Sequence, residues 1–106
     1  ASALKINNLT CIVDNNKLQS DGETKDIIDC TLLNKKWEAF GWEVIEINGH
    51  DFLEINDAFY KTSKSPKLIL ADTVKGKGIN FMEGNNSWHH GSLTESTFKE
   101  ALECLK

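Results

Sequence analysis

The sequence predicts an α/β domain, a three-layer parallel sheet with helices on both faces. Three observations carry that reading. Short apolar runs at 9–13, 43–47 and 68–74 alternate with stretches of helical period. The first and third runs are nearly continuously apolar, as strands covered on both faces are. Turn and cap residues punctuate the boundaries: Asp21-Gly22, Gly41, Asn48-Gly49 and Ser65-Pro66. Three strands are few for a parallel sheet, so the domain is expected to be incomplete within this sequence.

Residues 4–8 read as the tail of a helix and a connection. The first strand, at 9–13, is rich in β-branched residues. A polar loop follows from Asp14 through Lys25. Over 30–40, Leu33, Trp37 and Phe40 recur at helical spacing, and Gly41 stands where a C-cap glycine belongs. The second strand, 43–47, is centred on Val44 and Ile45. Asp51 and Glu54 have capping-box spacing, and Phe52, Ile55 and Phe59 form the predicted apolar face of the next helix. Ser65-Pro66 ends that unit, since a residue before proline leaves the helical region. The third strand is 68–74. A long loop opens at Lys75-Gly76-Lys77-Gly78 and reaches Ser92. Thr94 is the predicted cap of a last helix with Phe98, Ala101, Leu102 and Leu105 on its face. The order β-α-β-α-β-loop-α calls for right-handed crossovers.

Composition narrows the function. The 106 residues are 40% hydrophobic and 26% charged, the balance of a folded globular chain. No apolar run is long enough to cross a bilayer, and residues 1–5 lack the core of a signal peptide. The chain starts without Met, so an upstream extension is expected. A net charge of -4 with no basic cluster argues against nucleic acid as the main partner. The three cysteines, Cys11, Cys30 and Cys104, have no metal-binding spacing. Cys11 and Cys104 read as small hydrophobes. The cytoplasm is the simplest compartment.

Three stretches carry candidate chemistry. The loop Asp14-Asn15-Asn16-Lys17-Leu18 begins where a strand ends, and open α/β sheets bind ligands outside the carboxyl ends of their strands. Its amide and carbonyl oxygens are donors that hard cations take; the plain alternative is a set of turn residues. Gly76 and Gly78 allow close backbone approach, and Lys75 and Lys77 suit a phosphate; the alternative is an ordinary surface loop. Ser87-Trp88-His89-His90-Gly91 offers two imidazoles for protons, a metal or an anion; the alternative is a solvated pair beside a packed tryptophan. No third ligand at a zinc-like spacing is visible. His50 reads as part of a strand-to-helix turn.

Together the pieces IVDNNKLQSDG, KWEAFGWEVIEINGHD and DTVKGKGINFMEGNNSWHHG resemble the diphosphate-binding domain of transketolase, in the family's order and spacing over nearly the whole chain. The resemblance is to the form split into an N-terminal and a C-terminal subunit. It implies thiamine diphosphate held through a divalent cation, Mg2+ or Ca2+. By position, the metal ligands would be the side-chain oxygen of Asn16 and the backbone carbonyl of Leu18. His90, before Gly91, is similar to the family histidine that contacts the diphosphate and the substrate side. The doubled histidine keeps His89 open for that role. Gly78 would face the cofactor.

The resemblance also implies an activity, transfer of a two-carbon ketol unit from a ketose phosphate to an aldose phosphate. The family's opening Gly-Asp-Gly is absent here, and so is the pyrimidine-binding domain. The chain is therefore expected to be a partial diphosphate-binding domain spanning 1–106, inactive alone and dependent on partner chains in an oligomer. Two alternatives remain at this point: a non-catalytic remnant or regulatory partner with the same fold, and a flavodoxin-like binding module.

Overall fold

A computed structural model describes residues 1–106. In chain order its elements are a 3-10 turn (Ser2–Leu4), β1 (Thr10–Asn15), β2 (Leu18–Gln19), β3 (Gly22–Glu23), α1 (Thr24–Ile27), α2 (Leu33–Ala39), β4 (Glu43–Asn48), α3 (Phe52–Tyr60), β5 (Lys67–Asp72), a second 3-10 turn (Asn86–His89) and α4 (Glu95–Cys104). The chain divides into two compact units. One comprises Ala1–Asn15 and Cys30–Thr73, the other Asn16–Asp29 and Val74–Lys106.

The first unit holds the parallel sheet, in the order β1-β5-β4. β5 is central: Lys67 to Asp72 pair with Thr10 to Asn15 on one side and with Glu43 to Asn48 on the other. Its residues Lys67 to Ala71 are all buried. β5 therefore meets the expectation of a strand covered on both faces, but β1 does not. Exposure alternates along β1, and Ile12 is 54% exposed. An unbroken apolar run does not distinguish a central strand from an edge strand. β1 pairs on one side only in this chain.

Helices cover both faces of the sheet. Strand side chains alternate between faces, so Glu46 lies opposite Ile45 and Ile47. The Asn34 amide of α2 donates to Glu46 Oε1 at 2.7 Å. On the other face, Ile55 and Ala58 of α3 pack with Ile45, Ile47, Ile69 and Ala71. The predicted face of α3 is thus corrected. Helical geometry sets Phe52 and Phe59 to one side of the Ile55–Ala58 stripe, and Phe52 is 86% exposed. In the second unit, α4 likewise buries Ala101 and leaves Phe98, Leu102 and Leu105 exposed.

The caps explain the element boundaries. α2 starts at Leu33, later than expected, because Leu32 takes a left-handed conformation. It ends in a Schellman motif: Gly41 N–H donates to Glu38 O at 2.8 Å and Trp42 N–H to Trp37 O at 3.2 Å. Gly41 has φ 78°. The apolar contact of that motif is the edge-on Trp37–Trp42 pair, with ring centroids 4.8 Å apart. Asp51 caps α3 by accepting from Leu53 and Glu54 N–H. Glu54 does not complete the expected capping box, because its carboxylate accepts instead from Asn48 N–H at 2.6 Å. Thr94 caps α4 as predicted, in a box with Thr97. All three cysteines are free thiols.

Lys67 is a structural device that no local pattern announces. Its side chain is buried, and its ammonium donates to the carbonyls of Ala58, Phe59 and Lys61 at 2.7, 2.9 and 2.9 Å. These carbonyls end α3, where a helix leaves acceptors unsatisfied and its dipole favours a cation. Lys67→Met keeps the stem and strands the carbonyls. It should destabilise the protein by about 3 kcal/mol, read from urea denaturation.

Glu43, the register partner of Lys67, supplies a pH dependence. The Ser63 hydroxyl first, then Lys61 3.1 Å away, hold its carboxyl below the ordinary value of 4.5. A depressed carboxyl contributes stability above its unfolded pKa and loses it as pH falls through the folded pKa. Thermal melts between pH 7 and pH 3 should therefore show a shallower acid loss for Glu43→Gln than for the unaltered protein, with a lower melting temperature at pH 7.

Candidate functional site

The candidate residues lie in the second unit, which begins one residue after β1. Asn16 Oδ1 accepts from Leu18 N–H at 2.9 Å, an Asx turn. Lys17, between them, is left-handed with φ 64°. Its carbonyl accepts from Thr24 N–H at 2.9 Å and from the Thr24 hydroxyl at 3.2 Å. The turn is thereby fixed from both sides. β2 and β3 then form an antiparallel hairpin, pairing Leu18 with Glu23 and Gln19 with Gly22. Sequence reading placed a turn at Asp21-Gly22 but missed the hairpin, because two-residue strands carry no periodic signal.

The long loop after β5 is built on Gly76 and Trp88. Gly76 has φ 71°, and a Cβ there would lie 2.6 Å from the Met82 carbonyl oxygen. Trp88 packs against Phe81 with centroids 5.3 Å apart. Gly91 lies so close to Trp88 that a Cβ would meet the indole at 2.5 Å. The Gly78 N–H donates to Glu83 Oε1 at 3.0 Å, and the Lys77 ammonium is 3.3 Å from the same oxygen. Glu83 thus engages, from within the loop, two of the groups that the sequence offered to a phosphate, Gly78 and Lys77.

Both histidines after Trp88 are exposed, with their rings edge to face at 4.5 Å. They differ in their partners. His89 Nε2 lies 3.0 Å from the Ser20 hydroxyl. The Asn86 amide donates to the Ser20 carbonyl at 3.1 Å, and its own Oδ1 is buried without a partner. His90 makes no hydrogen bond within the chain. The unit therefore presents two neutral oxygens at the Asn16–Leu18 turn and an uncommitted imidazole at His90. Nowhere do three His, Cys, Asp or Glu side chains gather as a metal cluster.

Residues 1–105 match the family model described as transketolase, thiamine diphosphate binding domain. The chain belongs to the transketolase family. It is 44% identical over 108 residues to one of the named subunits of apulose-4-phosphate transketolase from Actinobacillus succinogenes, covering 100% of this chain and 39% of that protein. It is 40% identical over 101 residues to the protein of the same name from Phocaeicola vulgatus, covering 92% and 36%. Human transketolase is 33% identical over 103 residues, covering 97% of this chain and 16% of that one. Among solved structures, transketolase from Campylobacter jejuni superposes with a TM-score of 0.90 at 36% identity, over 97% of this chain and 16% of that chain. The chain thus spans well under half the length of these relatives. The flavodoxin-like alternative falls with the match.

Within this transketolase unit, Asn16, Leu18, Gly78, His89 and His90 all lie in one compact body. Ser20, Asn86 and Glu83 were missed as partners, since Ser20 and His89 are 69 residues apart and nothing local links them. Gly76→Ala combines a disfavoured φ with a backbone clash. It should cost about 2 kcal/mol in chemical denaturation.

Proposed function

We propose that this chain is the diphosphate-binding part of a transketolase-type transferase, which moves a two-carbon ketol unit from a ketose phosphate to an aldose phosphate. The observation that carries the reading is the Asn16–Leu18 turn, in a chain whose family model is a thiamine diphosphate-binding domain. The donor set fits a hard divalent cation, Mg2+ or Ca2+: a side-chain amide oxygen and a backbone carbonyl, two residues apart. Two neutral oxygens do not complete six-fold coordination. The other ligands, the charged one among them, are assigned to the diphosphate and to a Gly-Asp-Gly segment supplied from outside this sequence.

When bound, thiamine diphosphate supplies the electron sink for carbon–carbon cleavage. The roles of this chain are holding and orienting. Asn16 Oδ1 and the Leu18 carbonyl hold the cation that offsets the diphosphate charge. The exposed imidazole of His90 donates to the diphosphate and reaches the substrate side, where it steers a hydroxyl or a proton. Gly78 lines the cofactor with its bare Cα, its N–H being used by Glu83. A pyrimidine-binding domain is expected from a partner chain or segment, and the relatives named as subunits support that assembly. Their names point to different sugars, apulose 4-phosphate and the sulfonate 6-deoxy-6-sulfo-D-fructose, so they support a sugar with an anionic end group and do not select the particular sugar.

Two substitutions in the assembled enzyme test this. Asn16→Ala should raise the magnesium and cofactor requirement strongly, whereas Asn15→Ala should do little. Cofactor titration beside a thermal melt separates a ligand from a turn residue. A melt shift with unchanged cofactor affinity would contradict the assignment. His90→Ala removes a charge-assisted hydrogen bond of about 1.5–3 kcal/mol, roughly ten- to a hundredfold. The loss should fall more on turnover than on cofactor affinity. Loss of neither would return the loop to a structural role, and no turnover in any assembly would favour the non-catalytic remnant.

A further inference from the structure

Ser20 is bonded through both of its polar groups to one short segment far away in sequence. Its hydroxyl is 3.0 Å from His89 Nε2, and its carbonyl accepts from the Asn86 amide at 3.1 Å. Asn86 makes the second bond although its Oδ1 is left buried without a partner. These two bonds clasp the hairpin to residues 86–89. On one side of it, Ser20 is two residues from Leu18, at the tip of the hairpin that starts in the Asn16–Leu18 turn. On the other side, His89 is followed at once by His90, whose ring it touches edge-on.

We propose that Ser20 is a positioning residue: its double bond to Asn86 and His89 sets the histidine loop against the Asn16–Leu18 turn, so that His90 and the cation ligands address one diphosphate together. This rests on the thiamine diphosphate reading above. It also divides the two histidines. His89 has its Nε2 committed to Ser20 and serves as the link, which leaves His90 as the histidine that contacts the ligand. A serine hydroxyl both donates and accepts. The bond therefore forms with either arrangement of the neutral ring.

The test uses the assembled enzyme with thiamine diphosphate, magnesium, a ketose phosphate and an aldose phosphate. Small misplacements of a catalytic group cost far more in rate than in binding. Ser20→Ala should lower kcat about tenfold and change cofactor affinity much less. Ser20→Thr, which keeps the hydroxyl, should restore kcat. His89→Ala should match Ser20→Ala, and the double variant should be no worse than either single one, because the two groups act as a pair. Additive losses, failure of threonine to rescue, or an unchanged kcat in Ser20→Ala while cofactor binds normally would overturn the clasp and leave the cofactor reading standing. If the unaltered assembly binds no thiamine diphosphate, the cofactor reading itself fails and the positioning role goes with it.

Discussion

The double pairing of β5 is the constraint on which the rest of the first unit depends. A strand bonded on both edges and covered on both faces has no freedom of register, since a slip of one residue would exchange its two faces. That register puts Asn15, Asp72 and Asn48 level at one end of the sheet. At the other end it places Lys67 beneath the end of α3, where the ammonium meets three carbonyls. A buried lysine is tolerable only with its donors satisfied. The burial of β5 and the termination of α3 are thus one arrangement.

In the second unit, many of the donors that a sequence reader would offer to a ligand are already spent. Glu83 takes the Gly78 N–H and pairs with Lys77. Ser20 takes His89, and Asn16 accepts from Leu18. This internal satisfaction gives short, glycine-rich loops a defined shape without regular secondary structure, and preorganised groups bind with less loss of freedom. What remains for chemistry includes the Asn16 amide oxygen, the Leu18 carbonyl, the Lys75 ammonium and the His90 ring. All lie within residues 1–105, which match the family model of the transketolase thiamine diphosphate binding domain.

The legible part of the fold was the part written in local patterns. Glycine at Gly41, aspartate at Asp51 and threonine at Thr94 act at helix ends through bonds spanning two to five residues, and all three were readable. The parallel sheet followed from the alternation of element types. Burial was less legible. The β1 run looked as apolar as that of β5, but which strand is central depends on topology, and Ile12 and Phe52 proved exposed. For the site, the resemblance picked out Asn16, Leu18, Gly78, His89 and His90 without saying how they are held. The bonds that hold them join distant residues, Ser20 with His89 and Asn86, or pair a glycine with a glutamate five residues on. Neither periodicity nor composition encodes such pairs.

The central claim is that the Asn16–Leu18 turn holds the cation that anchors thiamine diphosphate. The most direct measurement is a crystal structure of the assembled enzyme grown with thiamine diphosphate and calcium, with the ion located by its anomalous scattering. One calcium ion is expected about 2.4 Å from both Asn16 Oδ1 and the Leu18 carbonyl oxygen, shared with the diphosphate, with His90 in hydrogen-bond reach of that group. A calcium ion bound to the diphosphate but out of coordination distance of Asn16 Oδ1 and the Leu18 carbonyl would contradict the claim.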